Sequence, residues 1–272
     1  MFIRTTKLLR IADGQEAAAW LAALADPAWL AAAKTLKQDG GSWVRRANVL
    51  GRDVVVKCRS LNTFSRRLKG TLGIGHGHKH WRGASLLQSR GILTAAPLVL
   101  CRAAVDGVPS EVLVLEFIGG PTLLECLQSS RDGQLAVREQ HAIARAVGLQ
   151  VAQFSQGLQN RDHKPSNLIV RSTASGSPEI AVIDCVGVYH SMLWRGFFPP
   201  LASLMIEPTG CGVPPRRALR MRVLTTLADS LDGPTRTSRQ ERRKFIRIVW
   251  LLTDKRIAAH GDPTPKVNPL RT

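Results

Sequence analysis

The chain has 272 residues, 44% of them hydrophobic, enough to bury one large core or two smaller ones and too many for wholesale disorder. Lys and Arg number 38 against 20 Asp and Glu, and the resulting net charge of +18 gathers polyanions: nucleic acid, anionic lipid surfaces or phosphorylated glycolipid. Aromatic residues make up only 5%, too few stacking surfaces for a typical single-stranded nucleic-acid binder.

Residues 1–39 read as an Ala-rich helical extension. The most apolar stretch, 16–33, is broken by Asp26-Pro27, which reads as a cap and first-turn proline joining two short helices. It is too short to span a bilayer and nothing before it reads as a secretory signal, so membrane contact is expected to be peripheral. Gly40-Gly41 punctuates the chain. Ser42–Val49 and 53–58 then read as strands joined across Leu50-Gly51-Arg52. The run Val54-Val55-Val56-Lys57 is a buried strand finishing in a cation, which by itself could simply reach water.

Residues 61–78 are basic and Gly-rich and read as a mobile loop, followed by a helix over 80–89 that Gly91 stops. A second strand pair, 96–102 and 111–117, turns at Asp106-Gly107. The Gly119-Gly120 break precedes a short helix starting near Thr122. Apolar residues at Leu135, Ile143, Val147, Val151 and Phe154 predict a long helix over 134–156 that delivers the chain to a polar loop at 160–167. A short strand over 180–183 follows, and the rest reads as helical around a Pro-rich break at 212–215. The basic segment 236–256 sets Phe245, Ile246, Val249 and Leu252 on one face, the pattern of a core-facing helix with a solvated basic side. Cysteines 58, 101, 126, 185 and 211 have no metal-ligand spacing and read as reduced, at least partly buried thiols of a cytoplasmic protein.

The chemistry concentrates in two places. Residues 160–167 read Asn-Arg-Asp-His-Lys-Pro-Ser-Asn, and Asp184 follows a short apolar strand 17 residues beyond Asn167. A carboxylate at Asp162 can accept the proton of an attacking hydroxyl, while Asn167 and Asp184 offer oxygen ligands for Mg²⁺ on nucleotide phosphates. This is the arrangement that phosphoryl transfer from ATP requires. Strands first, then a break, then a helical half with the chemistry in its first loop suggest two lobes with a nucleotide between them. The expected division is a helical extension at 1–39, a sheet lobe with the nucleotide lid at 40–118, and a catalytic lobe at 119–272.

These stretches resemble the protein-kinase-like superfamily and, within it, the bacterial lipopolysaccharide core kinases that phosphorylate heptose or Kdo sugars. The likeness covers about residues 40–255. It rests on Val-Val-Val-Lys57, on Trp81 through Pro97 with its Gly91-Ile-Leu-Thr, on Leu-Val-Leu-Glu116, on the 160–167 loop and on Val-Ile-Asp184. The resemblance implies an α+β, two-lobed protein-kinase-like fold, with a small antiparallel-sheet N-lobe and a mostly helical C-lobe. It makes Asp162 the catalytic aspartate, Asn167 and Asp184 the metal ligands, Lys57 the lysine on the α and β phosphates, and Lys164 a contact of the γ-phosphate. The backbone from Glu116 to Ile118 would hydrogen-bond adenine, and Ser42 beside the minimal glycine lid would meet phosphate oxygens.

Three departures qualify the resemblance. Asn160 stands where a His usually precedes Arg-Asp, the Gly of an Asp-x-Gly triplet comes one place late at Gly187, and no Asp or Glu occurs between Asp53 and Asp106. The helix over 80–89 therefore carries no carboxylate for Lys57, and His80 is a poor substitute. No long activation segment follows Asp184, which points away from a switched protein kinase and towards a sugar or glycolipid acceptor. The leading expectation is thus an ATP/Mg²⁺-dependent kinase of a lipopolysaccharide-core sugar, peripheral on the cytoplasmic face of the inner membrane. A weak pseudokinase or adaptor that keeps the fold, or a kinase of another small molecule, are the alternatives. An anionic glycolipid or sugar is the expected partner and nucleic acid is not; the sequence leaves the oligomeric state open.

Overall fold

The computed structural model describes residues 2–191, 196–231, 238–265 and 267–270, so Arg236 of the basic segment lies outside the described residues. The chain forms two compact units, one of residues 1–85 with 95–118 and the other of 86–94 with 119–272.

The first unit is built on a six-stranded antiparallel sheet in the order β1-β5-β6-β4-β3-β2. Its strands are β1 (Ile3–Ile11), β2 (Lys34–Asp39), β3 (Ser42–Val49), β4 (Arg52–Ser60), β5 (Pro97–Val105) and β6 (Val108–Glu116). Two expected hairpins form with two-residue turns. Leu50 and Gly51 (φ 53° and 73°) join β3 to β4, and Asp106 and Gly107 (φ 49° and 79°) join β5 to β6. Positive φ at both turn residues gives the backbone twist that matches antiparallel strands, which is why glycine holds the second place.

The first 39 residues are not helical throughout. Ile3–Ile11 is an edge strand on β5, with Ile3 opposite Val105 and Ile11 opposite Val99. Its Ile, Thr and Leu residues suit a pleated surface better than a helix. Only α1 (Ala17–Ala25) and α2 (Pro27–Ala32) are helices, and Asp26 caps α2 by accepting the Ala28 N–H at 2.9 Å. They place Trp20, Leu24, Trp29 and Leu30 in one core with Val54, Val56, Cys58, Val112 and Val114. The alternate residues Val55, Leu113 and Leu115 turn to the opposite face, where they pack with Trp81 of α4 (His76–Gln88).

The stretch expected as a mobile loop holds a further helix, α3 (Phe64–Thr71). Thr63 caps it, accepting the Arg66 N–H at 3.3 Å. The start of α4 is fixed by Glu111 of β6, a buried carboxylate that accepts the Gly77 N–H. A Cβ at Gly77 would stand 2.7 Å from that carboxylate, so glycine permits the approach. Glu111 also lies 3.5 Å from His78 Nδ1.

The second unit is mostly helical: α5 (Leu123–Arg131), α6 (Val137–Phe154), α7 (Phe198–Gly210), α8 (Arg217–Leu231) and α9 (Arg239–Ala258). Thr122 and Glu125 form a capping box on α5. Helix α6 buries Ile143, Val147, Val151 and Phe154, as its periodicity predicts. In α9 the expected apolar face is shifted. Ile246 and Val249 are buried, but Leu252 is exposed and Thr253 takes the inward position, its hydroxyl satisfied by Val249 O at 2.7 Å. Two short ribbons, β7 (Leu158–Asn160) with β10 (Val188–His190) and β8 (Leu168–Ser172) with β9 (Pro178–Val182), carry the polar loop and Asp184. Among the described residues no helix is long and apolar enough to cross a membrane. All five cysteines are free, and all but Cys211 are buried.

Candidate active site

The loop from Asn160 to Asn167 is held from both sides. Strand β7 pairs with β10, with Asn160 opposite Val188, and the Arg161 N–H donates to Gly187 O at 3.1 Å. Asn160 is fully buried and works as an internal brace. Its Oδ1 accepts the Asp162 N–H at 3.1 Å and its Nδ2 lies 3.2 Å from His163 Nδ1. Because the amide oxygen is committed to a backbone donor, Nδ2 must donate to His163, which fixes the imidazole as the tautomer protonated at Nε2. His163 is wholly buried, edge-on to Phe154 at 5.1 Å between ring centroids, and burial pushes its pKa down to about 3. The neutral ring is what keeps Nδ1 able to accept.

Gly187 is a steric requirement of the same brace. A Cβ there would sit 3.0 Å from the Asp162 nitrogen and 3.1 Å from Asn160 Oδ1. The glycine one place late after Asp184 thus lets the returning strand lie against the base of the loop. Asn160, where a His usually precedes Arg-Asp, braces the loop by donating and accepting with its amide.

The loop is closed by a turn at Pro165–Asn167, where the Asn167 N–H donates to Lys164 O at 2.8 Å. The Asn167 side chain donates through Nδ2 to Asp162 O at 3.1 Å, which fixes the amide and leaves Oδ1 as its acceptor atom. The β8–β9 register, Leu168 opposite Val182, continues one step further as the Ile183 N–H donates to Asn167 O at 3.0 Å. Asp184 follows immediately, with Oδ1 accepting the Val186 N–H at 3.3 Å. Asp162, Asn167 and Asp184 therefore occupy one local frame, tied by bonds from the Asn167 amide to Asp162 O and from the Ile183 N–H, next to Asp184, to Asn167 O.

Lys164 joins them. Its Nζ is 2.8 Å from Asp162 Oδ1, with both side chains about half exposed. Burial works against the ammonium, but the Asp162 hydrogen bond and charge, and then the charges of Glu207 and Asp184, outweigh it and hold the pKa above the ordinary lysine value. Lys164 is a permanent cation among three carboxylates.

Two supports were not foreseen from the sequence. Glu207 of α7, nearly buried, accepts the Ser166 N–H at 2.8 Å and the Ser166 hydroxyl at 2.6 Å, pinning the loop immediately before Asn167. Thr94 supports β9. The Val182 N–H donates to Leu93 O at 2.9 Å, and Thr94 Oγ1 donates to Val182 O at 2.7 Å while lying 3.0 Å from Cys185 Sγ. The Gly91-Ile-Leu-Thr stretch thus steadies the strand that ends in Asp184. Glu207 carries no sequence signal, because it lies 41 residues from Ser166 in an unrelated helix.

The remaining candidates belong to the sheet unit. Lys57 is on β4, in register with Val44 and Leu113, half-buried on the face that packs with α4. Ser42 begins β3 directly after the Gly40-Gly41 turn and pairs with Asp39 and Arg59. Glu116 ends β6, its N–H donating to Ala96 O at 2.9 Å, and the Phe117 N–H donates to Asp53 O at 3.1 Å. Ile118 packs against the Trp81–Leu115 cluster.

The donor set fits a divalent cation. Asn167 Oδ1 and the Asp184 carboxylate are hard oxygens, the ligands magnesium prefers. Among the described residues no group of three or more His, Cys, Asp or Glu could enclose a metal alone. Two protein oxygens completed by phosphate oxygens and water is the arrangement a nucleotide-bound magnesium uses.

No family model matches the chain, and no curated protein matches it in sequence. Among solved structures it is similar to WaaP in complex with acyl carrier protein, with a TM-score of 0.58 at 18% identity, over 83% of this chain and 88% of that one. That likeness is one of fold. The chain has the expected α+β, protein-kinase-like fold, with an antiparallel-sheet unit and a mostly helical unit.

Proposed function

We propose that the protein is an ATP- and Mg²⁺-dependent phosphotransferase that phosphorylates a sugar hydroxyl of the lipopolysaccharide core at the cytoplasmic face of the membrane. The observation that carries this reading is the shared frame of Asp162, Asn167 and Asp184, tied through Asp162 O and Asn167 O. A merely structural loop has no need to bring a half-exposed carboxylate, an amide oxygen and a second carboxylate together.

In this reading Asp162 orients the acceptor hydroxyl and takes its proton as the new O–P bond to the γ-phosphorus forms and the bond to the ADP oxygen breaks. Asn167 Oδ1 and Asp184 would hold magnesium, which when bound neutralises charge on the phosphate oxygens. Lys164 remains charged at the Asp162 carboxylate, so its ammonium is available to a γ-phosphoryl group as charge builds there. Lys57 would bind the α and β phosphates, with Ser42 and the backbone of the Gly40-Gly41 turn beside them. Adenine would hydrogen-bond the backbone between Glu116 and Ile118. There the Glu116 and Phe117 N–H groups are already engaged, which leaves the Ile118 N–H as the donor. The +18 charge suits an acceptor that already carries phosphates or sugar carboxylates.

The test is phosphate transfer from ATP to core-oligosaccharide, heptose and Kdo acceptors, followed by ³¹P NMR. Asp162→Asn and Asp184→Ala should each lose on the order of a hundredfold or more in rate while melting like the parent, since both side chains are partly solvent-exposed. Transfer that is equal in parent and both variants, or absent from the parent on all three acceptors, would remove the proposal.

A further inference from the structure

Helix α3 carries an apolar stripe that the fold leaves in solvent. Phe64, Leu68 and Leu72 recur every fourth residue along α3 and its C-cap, so they share one face. Phe64 is 81% exposed, Leu68 47% and Leu72 63%, and Ile74 in the next turn is 41% exposed. A lone exposed leucine needs no explanation, but four large apolar side chains within eleven residues form a patch that a soluble surface does not tolerate without use.

The stripe is set in a strongly basic surround. Arg67 and Lys69 flank it on either side, while Arg66 lies on the opposite face and donates to Ser60 O and Asn62 Oδ1. Residues 54–105 contain nine Lys and Arg and no Asp or Glu at all. The helix is also firmly mounted. Arg67 Nε donates to Leu61 O at 2.9 Å, Arg102 Nη2 to Thr71 Oγ1 at 3.3 Å, and Gly70 is buried at the base, where a Cβ would meet Arg102 at 3.4 Å. A fixed two-turn helix thus presents an exposed apolar stripe between cations.

We infer that α3 is a membrane-docking element that enters the interface of a bilayer containing anionic phospholipid, with Phe64, Leu68, Leu72 and Ile74 among the acyl chains and Arg67 and Lys69 at the headgroup phosphates. Exposure and charge select this occupant. An apolar stripe whose most exposed member is a phenylalanine can insert among acyl chains while the flanking cations stay at the headgroups. The absence of any carboxylate from 54 to 105 suits a continuous sheet of negative charge. The inference deepens the proposed function by naming the part of the chain that meets the membrane. It rests on that reading for its setting, but the binding test contains neither nucleotide nor acceptor, so either can fail alone.

The experiment is co-sedimentation of the full chain with vesicles of phosphatidylcholine alone or mixed with phosphatidylglycerol, at low and high salt. The parent should bind the mixed vesicles, lose most binding at high salt, and bind the neutral vesicles weakly. Phe64→Asp with Leu68→Asp should weaken the partition coefficient at least tenfold, and Lys69→Glu severalfold, without lowering the melting temperature, because all three positions are exposed. If the kinase reading also holds, the double variant keeps its rate on a water-soluble acceptor and loses it on a vesicle-embedded one. Parental binding by the double variant, no binding of the parent to mixed vesicles, or a loss that appears only with Ile248→Asp and Leu251→Asp on α9 would each overturn the inference. A dimer dissolved by the α3 substitutions, without vesicle binding, would assign the stripe to a second copy of the chain and overturn it as well.

Discussion

Acid should destabilise this protein through His163. Its imidazole is wholly buried and its pKa lies at about 3, pushed down by burial, against roughly 6.5 in an unfolded chain. Between those two values the unfolded chain binds one proton that the native state refuses. Stability therefore rises with pH across this window, by about 1.4 kcal/mol per pH unit. The contribution is fully present above about pH 6.5 and drains away on acidification, stopping only near pH 3. From about pH 6.5 to pH 5 the loss comes to about 2 kcal/mol, or roughly 4–8 °C of melting temperature for a unit of this size.

A protonated ring would also stop accepting from Asn160, which positions the Asp162 N–H, so the damage would fall on the catalytic loop. The assay pairs two measurements. Nitrogen-15 NMR of labelled histidine should show one imidazole staying neutral, protonated at Nε2, down to about pH 4. Melting curves at about pH 7 and pH 5 should show a smaller pH-dependent drop in His163→Gln than in the parent, which separates this site from the six other histidines. A residue-163 imidazole that titrates between about pH 6 and 7, or a variant with the parental pH slope, would refute the reasoning.

Glu207→Ala removes both acceptors of Ser166 and should cost about 1–3 kcal/mol, read as a lower urea midpoint, with Glu207→Gln falling between it and the parent; an unchanged midpoint in Glu207→Ala would discard this support of the loop. Thiol titration of the native protein should register Cys211 first and the other four only after denaturation, because burial raises Cys58, Cys101 and Cys126 to about 11, 12 and 11 and keeps them protonated. Rapid reaction of a second thiol in the folded chain would contradict that burial.

Short-range chemistry was legible in the chain itself. The turns at Leu50-Gly51 and Asp106-Gly107 announce their hairpins because only a few residues tolerate two consecutive positive φ values. The capping box at Thr122 and the periodicity of α6 depend on neighbours a turn apart. The spacing of Asp162, Asn167 and Asp184 was likewise readable, since a tight loop and one hairpin suffice to bring them together.

Tertiary structure alone decided what depends on remote partners. Ile3–Ile11 is a strand because β5, nearly a hundred residues away, offers an unpaired edge. Helix α3 starts at a local Thr63 cap, but its place on the sheet is set by Arg102 of β5, which donates to Thr71 from 31 residues away. Thr253 rather than Leu252 faces inward on α9, and its buried hydroxyl is satisfied by Val249 O of the same helix. Glu207 reaches Ser166 only because α7 runs past the loop. Local propensity acts over a few residues, whereas burial and hydrogen-bond satisfaction are settled by whichever distant segments the fold brings alongside.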